Sequence, residues 1–164
     1  EARGLQLVLV GEERGKRHFA ELTSLVRERD LGHLVQFAGG VPHETVTSAL
    51  RSCDFFVFQS TCENCPITLI EALEAGVPIC CSNVGVMPEI AGDAAILVDS
   101  DDPEALARDI MEVLESRQRR DELRAAGEAR QQAYSWSTSA RAMLAVYAQA
   151  VRGEIRPMPA RGFE

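Results

Sequence analysis

Positive charge is scarce in this chain. Lys16 is its only lysine, and 17 Lys and Arg face 25 Asp and Glu, for a formal net charge of −8 over 164 residues. That balance argues against a nucleic-acid binder, which needs a basic surface. It also argues against adhesion to anionic lipid through a basic patch. No apolar run approaches the roughly 20 residues of a membrane-spanning helix, and the opening residues do not read as a secretory signal. A cytoplasmic setting is therefore expected. G-x-G-x-x-G is absent, which disfavours dinucleotide binding of the NAD kind. There are no internal repeats or low-complexity segments. His18, His33 and His43 have no partner pattern that would make them catalytic.

Cysteine is present but odd in number: Cys53, Cys62, Cys65, Cys80 and Cys81. Without secretory features this fits reduced thiols. Cys62-Glu63-Asn64-Cys65 is formally C-x-x-C, and Cys80-Cys81 could supply two further zinc ligands. A tetrahedral zinc site, however, usually takes a second, similarly spaced pair on a turn, and adjacent strand residues point to opposite faces. The sequence favours buried or loop thiols over zinc or redox chemistry, and no metal site is expected.

What is present is alternation. Leu5 to Gly11 reads as a buried strand running into a glycine turn, and Phe19, Leu22, Leu25 and Val26 recur at helical spacing over Arg17 to Arg29. Leu34 to Phe37 is a second strand, followed by the Gly39-Gly40 turn, where backbone can approach a ligand closely. Thr45, Val46, Ala49 and Leu50 mark the next helix. Phe55 to Phe58, Val77 to Cys81 and Ala95 to Val98 are three more strands, with one helical turn over Met87 to Ala91. Asp102 caps a helix with Pro103 at its first position, and its apolar residues Leu106, Ile110, Val113 and Leu114 keep helical spacing. Two more helices follow, over Arg119 to Ala133 and from Trp136 onward. The last is expected to turn Ala140, Met143, Leu144 and Tyr147 inward, with Ser135 or Ser137 as its cap and Trp136 as a core anchor. The fold class is α/β: a Rossmann-like parallel sheet with helices on both faces, closing with C-terminal helices. Residues 1–151 read as one domain, and 152–164 as a tail with little order.

The chain is organised around Thr61 to Gly76. Pro66 suits a helix start and Gly76 suits the left-handed position just past a helix end. With a strand before it, the stretch is a strand, a loop and a helix, which sets free helix N–H groups at the sheet's ligand-binding edge. Glu63 in the loop and Glu71 in the helix are separated by seven residues. From a start near Pro66, Glu71 sits roughly 7–9 Å along the axis. Free N–H groups favour an anionic group such as a diphosphate, and a carboxylate one turn deeper can accept from paired hydroxyls. The spacing suits a nucleotide sugar. Spacing alone, however, favours an ordinary helix with a solvated Glu71 and a loop Glu63, since glutamate is common on helices.

The wording of the stretch goes further. Glu63 through Glu71, continuing Ala72-Leu73-Glu74-Ala75-Gly76-Val77-Pro78, resembles the E-x7-E signature of retaining glycosyltransferases of the GT-B fold, glycosyltransferase family 4 (glycosyl transferases group 1). Phe37-Ala38-Gly39-Gly40-Val41 resembles the family's F-x-G-x-V turn. Ser82 to Ile90 resembles its S-x-x-G-G-x-P-E-x segment, and Asp102 to Ala107 and Tyr134 to Ser137 resemble its closing helices. Roughly 145 residues follow that order, much more than a lone motif.

The resemblance implies a donor-binding domain of an enzyme that transfers a sugar from a nucleoside-diphosphate sugar to an acceptor with retention. It implies that Glu71 holds the ribose through its 2′- and 3′-hydroxyls. It implies that Glu63 is the catalytic carboxylate, contacting hydroxyls of the transferred sugar. Backbone N–H groups of Asn64, Cys65, Ile67 and Thr68 would face the sugar and diphosphate. Where the family most often has glycine this chain has Pro66, which cannot donate, so Ile67 and Thr68 gain weight. Gly40 and Val41 would line the base, and Gly11 would sit at the diphosphate edge. Pro88 and Glu89 would shape a structural corner.

No cofactor or obligatory metal is implied, since protein groups rather than an Asp-x-Asp-bound cation would stabilise the diphosphate. The family's upstream G-R-x-x-x-x-K-G segment and its N-terminal acceptor domain are expected ahead of this chain. A peripheral membrane association at the inner face would run through that domain. Arg14, Lys16 and Arg17 follow a strand end and offer a weak substitute for the upstream cations. The chain alone is expected to bind donor weakly and not to transfer sugar. The rival readings are a non-catalytic nucleotide-sugar-binding or assembly module, and a nucleotide-sugar epimerase of related architecture.

Overall fold

A computed structural model of the protein describes residues 4–13, 15–99 and 101–154. Its contacts group into two compact units, Glu1–Ser52 and Cys53–Glu164. The first holds β1 (Leu7–Val10), α1 (Lys16–Glu28), β2 (Val35–Gly39) and α2 (His43–Ser52). The second holds β3 (Phe56–Phe58), α3 (Ile67–Ala75), β4 (Ile79–Ser82), α4 (Met87–Ala91), a 3₁₀ turn at Gly92–Ala94, β5 (Ala95–Val98), α5 (Pro103–Glu115), α6 (Arg117–Gln131) and α7 (Trp136–Val151). The tail expected from residue 152 falls outside the described residues from 155 onward.

All strand pairing is parallel, as the alternation demands. The described ladders are β1–β2 in the first unit and β3–β4–β5 in the second. In the second unit β4 is the middle strand. All four of its residues are buried, and because alternate side chains point to opposite faces, both faces of that sheet are covered. Helix α3 buries Leu69, Ala72 and Leu73, and α6 brings its buried Gly127 close to Leu73. Leu69, Leu73, Ile79, Met87, Val113 and Leu123 are the large side chains sealed in this core.

The first unit departs from its reading. The strand read as buried is not: Leu7, Val8 and Val10 are 47%, 49% and 47% exposed. A two-stranded ladder has too few neighbours to cover its strands. Phe19 of α1 meets Phe37 of β2 edge to face, with ring centroids 5.2 Å apart.

Helix α7 is a second correction. Its Ser135 cap holds, accepting from the Thr138 N–H at 3.1 Å. None of its side chains is buried, however, and Met143, Leu144 and Tyr147 are largely exposed. Trp136, read as a core anchor, is 88% exposed. Helical spacing defines an apolar face but does not supply what covers it.

Candidate functional site

Strand β3 pairs with β4 and delivers the chain to Ser60, whose carbonyl accepts a hydrogen bond from the fully buried Ser82 hydroxyl. That bond ties the head of the loop to the end of the central strand. The chain bends at Asn64 and Cys65 and reaches Pro66, which is buried. Glu63 is half-buried within this loop.

Helix α3 starts one residue later than expected. Pro66 is its cap position, with φ −74° and ψ 86°, and no side chain caps it. The Pro66 carbonyl accepts from Leu69 at 3.0 Å and Ile70 at 3.3 Å. The Ile67 and Thr68 amides precede that ladder, so they are the ones the helix end presents. Glu71, half-buried, is the fifth residue of the helix, about 6 Å from its start. Gly76 closes the helix at φ 69°, ψ 25°, a left-handed position that glycine takes at least cost.

The remaining candidates belong to the first unit. Gly11 follows β1, and its amide donates to the Gly39 carbonyl at 3.0 Å. Gly39 has φ +68°, so the turn after β2 depends on glycine there. A Cβ at Gly40 would meet Glu12 Cγ at 2.9 Å, so the absence of a side chain lets Glu12 lie against this backbone. Val41 is half-buried. Gly11, Gly40 and Val41 thus gather around the ends of β1 and β2, while Glu63, Asn64, Cys65, Ile67, Thr68 and Glu71 form a separate group in the second unit. Of the expected cations, Arg14 lies outside the described residues. Arg17 is engaged with Glu21 at 2.9 Å on its own helix, and Lys16 opens α1 in an exposed position. An open groove of about 400 Å³ between α1 and β2, lined by Thr23, Val26, Arg27, Asp30 and Phe37 among others, contains none of the candidate residues.

Two supports were not foreseen. Arg130 near the end of α6 donates from Nε to the Ile90 carbonyl at 3.0 Å and from a terminal nitrogen to the Glu89 carbonyl. Tyr134, one turn on, donates to the Glu89 carbonyl at 3.3 Å, and the guanidinium carbon lies 5.5 Å from its ring centroid. Together they hold α4, the Pro88-Glu89 corner, by its main chain. The i, i+4 spacing of an arginine and a tyrosine is visible in the sequence, but carbonyl acceptors leave no mark in it. Ser82 is the other, a serine at the end of an apolar strand whose partner is again a carbonyl.

The cysteines divide into two kinds. Cys80 and Cys81 are fully buried, and that burial pushes their thiols up to about 12 and about 11. Partial burial also raises Cys53. Cys62 and Cys65 are exposed. Among the described residues no group of three or more His, Cys, Asp or Glu is placed to hold a metal ion, and no helix is long and apolar enough to cross a membrane.

Residues 1–130 match the profile of the family Glycosyl transferases group 1. The chain belongs to that family. Among relatives of this glycosyl transferases group 1 domain, D-inositol 3-phosphate glycosyltransferase of Segniliparus rotundus is 30% identical over 96% of the chain and 36% of its own length. O-antigen chain mannosyltransferase B of Escherichia coli is 32% identical over 62% of the chain and 27% of its own length. The chain thus spans about a third of these relatives. Among solved structures, sucrose-phosphate synthase from Thermosynechococcus elongatus superposes with a TM-score of 0.79 at 29% identity, over 90% of this chain and 39% of that one. HepE of Anabaena, solved in complex with UDP, gives a TM-score of 0.82 at 20% identity, over 88% and 41%. The domain has the fold of one half of a GT-B glycosyltransferase.

Proposed function

We propose that this domain binds a nucleoside-diphosphate sugar and serves as the donor half of a hexosyltransferase of glycosyltransferase family 4, which retains configuration at the sugar. The supporting observation is the start of α3, an uncapped helix end presenting the Ile67 and Thr68 amides, with Glu71 about 6 Å deeper. The amides and the positive end of the helix dipole receive the diphosphate. Glu71 accepts from the two ribose hydroxyls. Glu63 accepts from hydroxyls of the sugar and orients it for departure on the face from which the acceptor attacks. Asn64 and Cys65 add backbone contacts. The acceptor is held by a further domain of the whole protein. HepE, which shares the fold, has been solved with UDP and with UDP-glucose, a donor class that matches this reading.

Calorimetric titration with UDP, GDP and ADP tests the proposal. One nucleotide series should saturate, and Glu71→Ala should weaken it at least tenfold, because each hydrogen bond to a charged group contributes about 1.5–3 kcal/mol. Circular dichroism should stay unchanged. Unaltered affinity in Glu71→Ala would remove the ribose role. No binding by this chain, or by a longer one carrying an upstream Arg- and Lys-bearing segment, would favour the non-catalytic assembly module.

A further inference from the structure

The loop that carries Glu63 also carries two thiols, at Cys62 and Cys65, and neither has a role in the proposed chemistry beyond the Cys65 backbone. Both are exposed, unlike Cys80 and Cys81 in the central strand. They are separated by two residues, and the chain bends at Asn64 and at Cys65 between β3 and α3. A disulfide needs Cα atoms roughly 4.4–6.8 Å apart, a separation that a Cys-x-x-Cys pair reaches when its four residues close as a β-turn, whose first and fourth Cα atoms lie within about 7 Å. Both ends of the loop are anchored: Ser60 is tied to Ser82 on one side, and buried Pro66 opens α3 on the other. The two sulfurs are thus confined to one short segment, with Glu63 and Asn64 between them.

We propose that Cys62 and Cys65 form a thiol-modification site that takes a low-molecular-weight disulfide as its oxidant and closes an intramolecular Cys62–Cys65 bond. One cysteine thiolate attacks a sulfur of the small disulfide, forming a mixed disulfide and expelling one small thiolate. The other cysteine thiolate then attacks the protein sulfur of the mixed disulfide and expels the second small thiolate, which takes up a proton. Two cysteine thiols are oxidised and one small disulfide is reduced to two thiols, so no further reductant or oxidant enters. Cys80 and Cys81 take no part, because burial keeps them protonated and out of reach. The bond turns a loop anchored at its ends into one constrained in its middle. On the donor-binding reading above, and resting on it, the same bond shifts Glu63 and the Asn64 and Cys65 backbone away from the sugar.

The test treats the chain with oxidised glutathione, then maps its peptides by mass spectrometry and follows amide hydrogen exchange. The expected product has lost two hydrogens, carries its link between Cys62 and Cys65, and exchanges Glu63 to Thr68 more slowly. Dithiothreitol should reverse both changes. Cys62→Ser and Cys65→Ser, exposed positions that should fold normally, should each stop at a glutathione adduct on the remaining thiol. A stable adduct on the unaltered chain, an unmodified pair, or a link to another cysteine would overturn the proposal. Titration of the reduced and oxidised forms with UDP-glucose, GDP-mannose and ADP-glucose reads the consequence separately. At least fivefold weaker binding after oxidation supports it, and equal binding overturns it. Binding by neither form counts against the donor-site reading, while the mass still decides the disulfide.

Discussion

Strands β1 and β4 invite comparison. Leu7-Val8-Leu9-Val10 is the more apolar of the two, yet three of its four residues stand about half exposed. Ile79-Cys80-Cys81-Ser82 ends in a serine and is buried throughout. The difference lies in their neighbours. β4 is hydrogen-bonded on both edges, to β3 and β5, and its sheet is covered on both faces. Among the described residues β1 has one ladder partner, β2. Burial is therefore a property of how far a sheet extends, and a strand's own composition states only how much burial it could use. The candidate site follows the same division. Its Glu63 and Glu71 group is braced by a sealed core, whereas Gly11, Gly40 and Val41 rest on a small open ladder.

Matched truncations would break this comparison most sharply. Leu73 is 1% exposed at the centre of the second unit, so Leu73→Ala should cost about 2–5 kcal/mol through lost transfer energy and the cavity left behind. Leu7→Ala in the half-exposed strand should cost only about 1 kcal/mol, since half the burial is there to lose. Urea denaturation followed by far-ultraviolet circular dichroism reads both. Trp136 fluorescence would not serve, because that ring is already in solvent in the folded state. Equal losses at the two positions would mean that β1 is held as firmly as the core.

Alkaline pH separates the units by chemistry. The first unit has no cysteine, whereas the second holds Cys80 and Cys81 with thiols pushed up to about 12 and about 11 by burial. An unfolded chain releases those protons near pH 8.5–9, so above that range the unfolded state binds fewer protons than the folded one. By linkage, stability falls as pH rises from about 9 toward 12, and it is independent of these thiols below about 8. Urea midpoints measured from pH 7 to 10.5 should show the fall, and Cys80→Ala should flatten it. A slope unchanged in that variant would assign the alkaline loss elsewhere.

Local signals made much of the second unit legible. The Met87–Ala91 turn, the Ala95–Val98 strand, the Gly76 helix stop and the Asp102 and Ser135 caps are each written in a few adjacent residues. The exposure of β1 and of α7 was not legible, because it depends on how many elements lie against them. The candidate site divides in the same way. The candidacy of Glu63 and Glu71 rests on the wording of their stretch, whereas the Ser82–Ser60 bond and the Arg130 and Tyr134 grip on α4 end on carbonyls that every residue owns.

The smallest expected effect distinguishes a covered helix from an uncovered one. Asp102 accepts from the Ala105 amide at 2.8 Å at the start of α5, which is fastened at its far end by Arg120 donating to the Val113 carbonyl at 3.0 Å. Ser135 makes the equivalent bond to Thr138 at the start of α7, where no side chain is buried. The two caps are similar in kind, each worth about 1 kcal/mol to its own helix. They differ in what that helix is coupled to. Asp102→Ala should lower global stability by about that amount, because α5 contributes buried Val113 to the core and cannot unravel without opening it. Ser135→Ala should leave the global urea midpoint almost unmoved and instead speed amide exchange across α7, a local fraying. If Ser135→Ala lowered the midpoint as much as Asp102→Ala does, α7 would be coupled to the core, and the exposed face of Met143, Leu144 and Tyr147 would be covered in solution.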